Sequence, residues 1–106
     1  MEEIVKQLRA FVSEFNINMT PHARYAKCLE ENDELRKAID EHFFAVQLKD
    51  STTQSMLSQS IKEELCDRVI TGMLYLMALQ VDPVQAVKEK LELTFEKYRA
   101  KKSEQG

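Results

Sequence analysis

Residues 69–81 read VITGMLYLMALQV, and this stretch decides the fold. Its apolar side chains fall on nearly every side of a helix, whereas a surface helix carries them on one stripe. The chain of 106 residues contains only two Gly and two Pro, and good helix formers such as Glu, Lys, Leu and Ala are plentiful. Because a sandwich or barrel needs many Gly- and Pro-rich turns, the composition predicts an all-α fold in which this helix is covered on more than one face.

Apolar periodicity and helix-start signals divide the chain into four helices. Thr20-Pro21 and Asp82-Pro83 each offer a capping side chain followed by a proline suited to the first helical position. Residues 49–53, KDSTT, are interpreted as a loop. The predicted helices cover residues 2–15, 21–48, 54–80 and 83–101, and a polar tail at 102–106 is expected to fray. Four helices with short connections predict a helical bundle that forms a single domain over residues 1–106.

Charge and cysteine content exclude several classes of protein. The net charge is −3 and basic residues are scattered except at the C-terminus, so we expect no nucleic-acid partner. Cys28 and Cys66 lie within helical patterns, which predicts reduced core thiols rather than a disulfide framework. No run approaches the about 18 apolar residues that span a membrane, and the first residues mix charges into a helical pattern. We therefore expect a cytoplasmic protein with no membrane partner.

Two acidic clusters stand on the second and third predicted helices. One reads Glu30-Glu31-Asn32-Asp33-Glu34 and the other reads Glu64-Leu65-Cys66-Asp67. Residues three apart lie on the same side of a helix, so each cluster presents a pair of carboxylates. If the two helices pack side by side, four carboxylates converge, and Mg²⁺ takes such oxygen ligands together with substrate phosphates. A solvated acidic face is the alternative interpretation, because short acidic patterns are common.

The pattern of these acids resembles a known family. Glu30-Glu31-x-x-Glu34 followed by Glu64-x-x-Asp67 looks like the metal motif of the MazG-like all-α nucleoside triphosphate pyrophosphohydrolases. The flanking segments KEELCDRVITGMLYLMAL and VDPVQAVKEKLELTFEKYR are similar to that family's third and fourth helices. The resemblance implies a four-helix bundle-like MazG-type domain that oligomerisation completes, as a homodimer or homotetramer. It also implies Mg²⁺-dependent hydrolysis of a nucleoside triphosphate to monophosphate and pyrophosphate.

The resemblance further implies roles for individual residues. Mg²⁺ would be ligated by four carboxylates, those of Glu31, Glu34, Glu64 and Asp67. Glu34 or Glu31 would also act as the catalytic base, and Glu30 would lie in the outer shell of the metal. Substrate binding falls to three residues of the last helix, Lys90, Lys97 and Tyr98.

Two other functions are consistent with the sequence. A non-enzymatic helical interaction or regulatory module would leave the acids in solvent and use the apolar surplus to bind a partner. Hydrolysis of a phosphoribosyl-nucleotide, as in the related histidine-pathway branch, is an enzymatic alternative. Phe43, Phe44 and Tyr75 could stack on a base, although aromatic residues at helical spacing are more often core residues.

Overall fold

The computed structural model describes residues 2–105 and contains only helices and their connections over that range. The helices are α1 (Glu2–Glu14), α2 (Pro21–Gln47), α3 (Ser51–Ala78) and α4 (Pro83–Gln105). The prediction of an all-α helical bundle is confirmed. Within residues 2–105, no helix combines the length and the apolarity that crossing a membrane requires.

Side-chain caps fix where α2, α3 and α4 begin. Thr20 Oγ1 accepts a hydrogen bond from the N–H of Ala23 at 3.3 Å. The Asp50 carboxylate accepts from the N–H and from the hydroxyl of Thr53, at 3.1 and 2.6 Å. Asp82 accepts from two backbone N–H groups of the following turn, at 3.0 and 3.2 Å. Each cap satisfies donors that the first turn of a helix leaves free, as the sequence predicts for Thr20 and Asp82.

The first three helices are followed by a left-handed residue that is not glycine. Asn16, Lys49 and Gln80 have φ values of 48°, 58° and 63°. At the end of α2, the N–H of Asp50 donates to the carbonyl of Ala45 at 3.2 Å, which is the long hydrogen bond of a Schellman motif. The chain therefore turns sharply after each of these three helices with no Gly to mark the place.

Two of the predicted boundaries of α3 are wrong. The predicted loop at 49–53 is shorter, because the backbone turns at Lys49 and Asp50 already caps α3, which begins at Ser51. The helix also ends at Ala78 rather than at 80, since Gln80 takes the left-handed conformation that stops it.

The predicted end of α4 is also wrong. The helix continues to Gln105 instead of ending at 101, so the expected frayed tail is helical over residues 102–105. These residues, KSEQ, contain no breaker, and three of the four are at least moderate helix formers. Gly106, the last residue of the predicted tail, lies outside the described residues.

Helices α2 and α3 pack antiparallel along most of their length. The rings of Tyr25 and Tyr75 lie 6.5 Å apart at one end, and the His42 ring and the Ser58 hydroxyl are 3.0 Å apart towards the other. The two residue numbers add to 100 in both pairs, and to 99 where Cys28 contacts Thr71 and Gln54 contacts Ala45. A residue of α2 therefore lies opposite α3 at the level where the two residue numbers add to about 100.

A small core forms where α1 crosses the second half of α3. Its buried members are Val5 and Leu8 of α1 with Met73 and Leu74 of α3. Leu74 is only 2% exposed. Of α4, the start alone joins this core, through Val84. The contact between α2 and α3 is therefore much larger than the contacts that α4 makes with α1 and α3.

The expectation that residues 69–81 are covered on more than one face is met only in part. Met73 and Leu74 are buried, but Val69 is 60% exposed and Leu79 is also exposed. The chain has an accessible surface of 8346 Å², against about 6,100 Å² for a compact monomer of its mass. Its radius of gyration is 17.8 Å, against about 13 Å for a compact chain of this length. A single copy thus leaves much apolar surface in water.

Replacing Leu74 by Ala should lower the free energy of unfolding by about 3 kcal/mol, because truncating a buried leucine loses its transfer energy and leaves a cavity. Leu93→Ala is the matched control, since Leu93 is 59% exposed on α4 and should change stability by about 0.5 kcal/mol or less. Urea denaturation followed by circular dichroism measures both. Equal losses in the two variants would contradict the position of Leu74 in the core.

Candidate metal site

Three of the four predicted metal ligands converge between α2 and α3. One carboxylate oxygen from each of Glu31, Glu34 and Glu64 lies within 4.8 Å of the other two. The α2/α3 register brings Glu34 level with the middle of α3, within about a turn of Glu64. The i, i+3 spacing then places Glu31 one turn away on the same side of α2. The three residues are called the carboxylate cluster below.

The carboxylate cluster is partly withdrawn from solvent. Glu31 is only 5% exposed, Glu64 is half-buried and Glu34 is exposed. Within residues 2–105, Oε2 of Glu31 and Oε2 of Glu64 are buried and have no hydrogen-bond partner. A buried carboxylate oxygen without a partner costs free energy, and native structures rarely tolerate it without a reason. Two such oxygens in one cluster are the arrangement that a bound cation would relieve.

Lys27 is the basic residue that contacts the cluster, and the sequence analysis missed it. Its Nζ lies 3.3 Å from Oε1 of Glu31 and 3.4 Å from Oε2 of Glu30. Partial burial opposes the charged ammonium, yet the hydrogen bonds and charges of Glu31 and Glu30 raise the pKa of Lys27 above its usual range. The signal was present in the sequence, because Lys27 stands four residues before Glu31 on the same helix face. Glu30 is thus held by Lys27 at the margin of the cluster.

The cluster shifts the protonation of Glu64. Loss of solvation raises the pKa of this carboxyl group, and the negative charges of Glu34, Asp67 and Glu31 raise it further, as does a hydrogen bond between the protonated Glu64 carboxyl group and Glu34. Each of these effects disfavours the charged form, as expected for carboxylates that share one site. Without a cation, the charged cluster is therefore a source of instability in the folded protein.

Asp67, the fourth predicted ligand, is not among the three converging carboxylates. It stands one turn beyond Glu64, close enough for its charge to act on that group, and it lines an apolar groove between α1 and α3. Cys66 lines the same groove and is exposed, so its prediction as a core thiol is wrong. Cys28 is half-buried and donates to the carbonyl of Thr71 at 3.7 Å.

The predicted substrate-binding residues lie on α4, away from hydrogen-bond contact with the cluster. Lys90 lines a cavity of about 390 Å³ between α3 and α4. Tyr98 is exposed, and the ammonium of Lys101 lies 5.5 Å from its ring centroid. Lys97 is exposed on the same helix. Within the described residues no hydrogen bond or ion pair joins these three side chains to the carboxylates.

The three aromatic residues considered as base contacts also differ in exposure. Phe43 and Phe44 are exposed near the turn between α2 and α3, beyond the level of the cluster. Tyr75 is half-buried and packs edge-on against Tyr25. Tyr75 is therefore held by its packing, as an aromatic residue at helical spacing usually is.

Comparisons of the chain with models of known protein families, with curated protein sequences and with solved structures each find no match. The resemblance to the MazG-like pyrophosphohydrolases therefore stays a prediction, and the carboxylate cluster is the structural feature on which a proposal of function can rest.

The raised pKa of Glu64 has a defined effect on stability. The folded protein binds a proton at Glu64 more readily than the unfolded chain, so the free energy of unfolding falls as pH rises from the ordinary carboxyl range through the raised pKa. Above that pKa the loss is complete and constant. Glu64→Gln removes this pH-dependent loss of stability. Without metal, the melting temperature of the variant should therefore exceed that of wild type by more at pH about 7 than at pH about 4.

Glu92→Gln is the control for this experiment, because Glu92 is exposed on α4 and outside the cluster. Its melting temperature should follow that of wild type at both pH values. A gain for Glu64→Gln of the same size at both pH values would contradict the charge repulsion within the cluster.

Proposed function

We propose that the protein is a Mg²⁺-dependent nucleotide pyrophosphohydrolase that cleaves a nucleoside triphosphate to monophosphate and pyrophosphate. One observation carries this proposal: three carboxylates from facing helices converge, and two of their oxygens are buried without partners. The resemblance of both acidic clusters and their flanks to the MazG-like family supports the same reaction.

The donor set fits a hard divalent cation. Glu31, Glu34 and Glu64 would hold Mg²⁺, with Asp67 one turn further as an additional or water-mediated ligand. Such a cation usually takes a few carboxylates and completes its shell with water and substrate phosphates. When bound, Mg²⁺ supplies charge neutralisation of the phosphates and acidifies water in its shell.

The residues of the cluster differ in the roles that they suit. Glu31 is buried and paired with Lys27, which suits a fixed ligand rather than a group that must exchange protons with solvent. Glu34 is exposed and therefore suits the catalytic base. In the proposed step Glu34 removes a proton from a water molecule while the oxygen of that water bonds to the α phosphorus. The bond between the α phosphorus and the bridging oxygen breaks, and pyrophosphate leaves with that electron pair.

The rest of the proposal concerns substrate contacts and assembly. Lys90, Lys97 and Tyr98 are proposed to bind the nucleotide, with the lysines pairing with phosphates. The protein is proposed to work as a homodimer or homotetramer, because a single copy exposes roughly 2,200 Å² more surface than a compact monomer of its mass.

The activity is tested directly with purified protein, Mg²⁺ and a panel of nucleoside and deoxynucleoside triphosphates. Pyrophosphate and monophosphate should form from at least one member, with no orthophosphate. Glu34→Gln should lower kcat by about 100-fold or more, as expected for loss of a general base. Glu92→Gln should retain the activity of wild type. Phosphorus NMR identifies the products without a coupled enzyme.

The same assay separates the alternatives. A phosphoribosyl-nucleotide in the panel tests the enzymatic alternative. If no member of the panel yields a metal-dependent product at high enzyme concentration, the proposed activity is wrong. The exposed apolar surface of the chain would then favour the non-enzymatic interaction module.

Metal binding is tested by thermal melts with and without Mg²⁺ at fixed ionic strength. Mg²⁺ binds the folded site and not the unfolded chain, so it should raise the melting temperature of wild type by mass action. Glu64→Gln should lose this shift. Asp67→Asn should lose most of it, lose activity, and melt at or above the wild-type temperature without metal, because one repelling charge has gone.

Glu92→Gln is again the control and should keep the full Mg²⁺ shift. If Asp67→Asn also keeps the full shift, Asp67 is not a ligand. If Glu64→Gln keeps it, the carboxylate cluster is not the metal site.

A further inference from the structure

Two unpartnered apolar surfaces stand out on the described chain. The first is the groove between α1 and α3, with a volume of about 840 Å³. Its exposed apolar lining comes from five residues, Ile4, Phe11, Leu65, Val69 and Ile70. This surface is called the α1/α3 groove. It is open along its length, since α1 covers α3 only where Val5 and Leu8 reach Met73 and Leu74.

The second surface is one side of α4. Val87, Leu91 and Phe95 recur at four-residue spacing and are all more than half exposed. These three residues are called the α4 stripe, and Tyr98, proposed above to bind the nucleotide, lies about one turn beyond it. Burial along α4 is confined to its start, because after Ala86 every described residue except Thr94 is exposed. Val87 and Leu91, at the start of the stripe, share the cavity between α3 and α4 with Leu76, whereas Phe95 lies further out on the projecting helix.

The exposed area is of the size that a stable dimer buries. The chain exposes roughly 2,200 Å² more than a compact monomer, whereas each partner of an obligate homodimer buries about 1,000 to 2,500 Å². In a dimer with a two-fold axis, the projecting apolar helix of each copy can be buried in the groove of the other copy. Each copy would then contribute its helix and its groove once.

Charge favours the same pairing. The α1/α3 groove is bordered by Asp67, whose charge adds to that of the carboxylate cluster. Residues 97–102 of α4 include four cationic residues and no acidic one, with Glu96 and Glu104 on either side, so the second half of the helix is net positive. Opposite charges on the two surfaces set the orientation of the helix and raise the rate of encounter.

We propose that α4 of one copy seats the α4 stripe in the α1/α3 groove of a second copy, and that the exchange is reciprocal. The proposal specifies the surface behind the self-association proposed above, and it rests on that part of the proposed function alone. It does not depend on catalysis, and its test does not use activity.

The native thiol in the groove provides the test. In a Cys28→Ser background, Cys66 is the remaining cysteine and lines the α1/α3 groove. A second cysteine is then placed on the α4 stripe in separate variants, Val87→Cys, Leu91→Cys and Phe95→Cys. Under mild oxidation at least one should form a disulfide-linked dimer of about twice 12.3 kDa on a non-reducing gel.

Two controls define the face of α4 and the partner thiol. Leu93→Cys places the thiol on the opposite side of α4, where Leu93 is 59% exposed, and should give several-fold less dimer. Adding Cys66→Ser to the reactive variant should abolish the dimer. If that dimer persists, α4 pairs with α4 instead, and the groove assignment is wrong. Equal dimer from Leu93→Cys, or none from any stripe variant, would also overturn it.

Light scattering gives an independent readout on the protein without added cysteines. Wild type should have at least the mass of a dimer at micromolar concentration. Val69→Glu in the groove and Phe95→Glu on the stripe should each weaken the dimer by about 30-fold or more, because each buries an unpaired charge. Leu93→Glu should leave the mass unchanged, and circular dichroism should show all variants folded.

A monomeric wild type would refute the proposal, and so would a dimer indifferent to both Val69→Glu and Phe95→Glu. Neither result bears on the chemistry of the carboxylate cluster. Conversely, if the expected crosslink forms but no pyrophosphate is released, the proposed interface is supported and only the proposed activity is wrong.

Discussion

Antiparallel packing of α2 on α3 forces carboxylates from both helices into one partly buried site. Glu31 is tolerated there because Lys27, one turn away, supplies a positive charge to one of its oxygens. The other oxygen has no partner among the described residues, and Glu64 is left in the same state. Apolar side chains at these positions would pack with less penalty, so the cluster is a cost that the fold accepts. Functional sites commonly carry such a cost, and this is the physical reason for placing a cation there.

The sequence was sufficient for the parts that local rules control. Spacing of three residues placed Glu31 beside Glu34, and a short turn made α2 and α3 adjacent, so the convergence with Glu64 could be predicted. The start of α3 could not, because Lys49 takes the left-handed conformation that usually marks a glycine, and Asp50 already caps the next helix. Asp67 shows a second limit of prediction from the sequence. The i, i+3 rule places it on the same side of α3 as Glu64, but its distance from the acids of α2 depends on how the two helices cross.

Exposure was the property that the sequence predicted least well. Cys66 sits in an apolar helical pattern and is nevertheless exposed, because the groove beside it is not filled within one chain. Val69 is exposed for the same reason. Periodicity states which side of a helix is apolar, whereas the identity of the surface that covers it depends on tertiary or quaternary contacts. In this chain the difference is seen on α1, α3 and α4, which all carry exposed apolar side chains.

The fixed pairing of α2 with α3 also constrains how the gene can change in length. One codon inserted between Glu34 and the turn would rotate that carboxylate by about 100° relative to the following residues and shift it by about 1.5 Å along the axis. A compensating insertion in α3 would be needed to keep it opposite Glu64. Length changes that preserve the cluster therefore come as matched pairs of whole turns, or fall within the three-residue connection before Ser51. The segment between Glu34 and Glu64, which includes the turn from α2 to α3, can therefore change in length during evolution only in such steps.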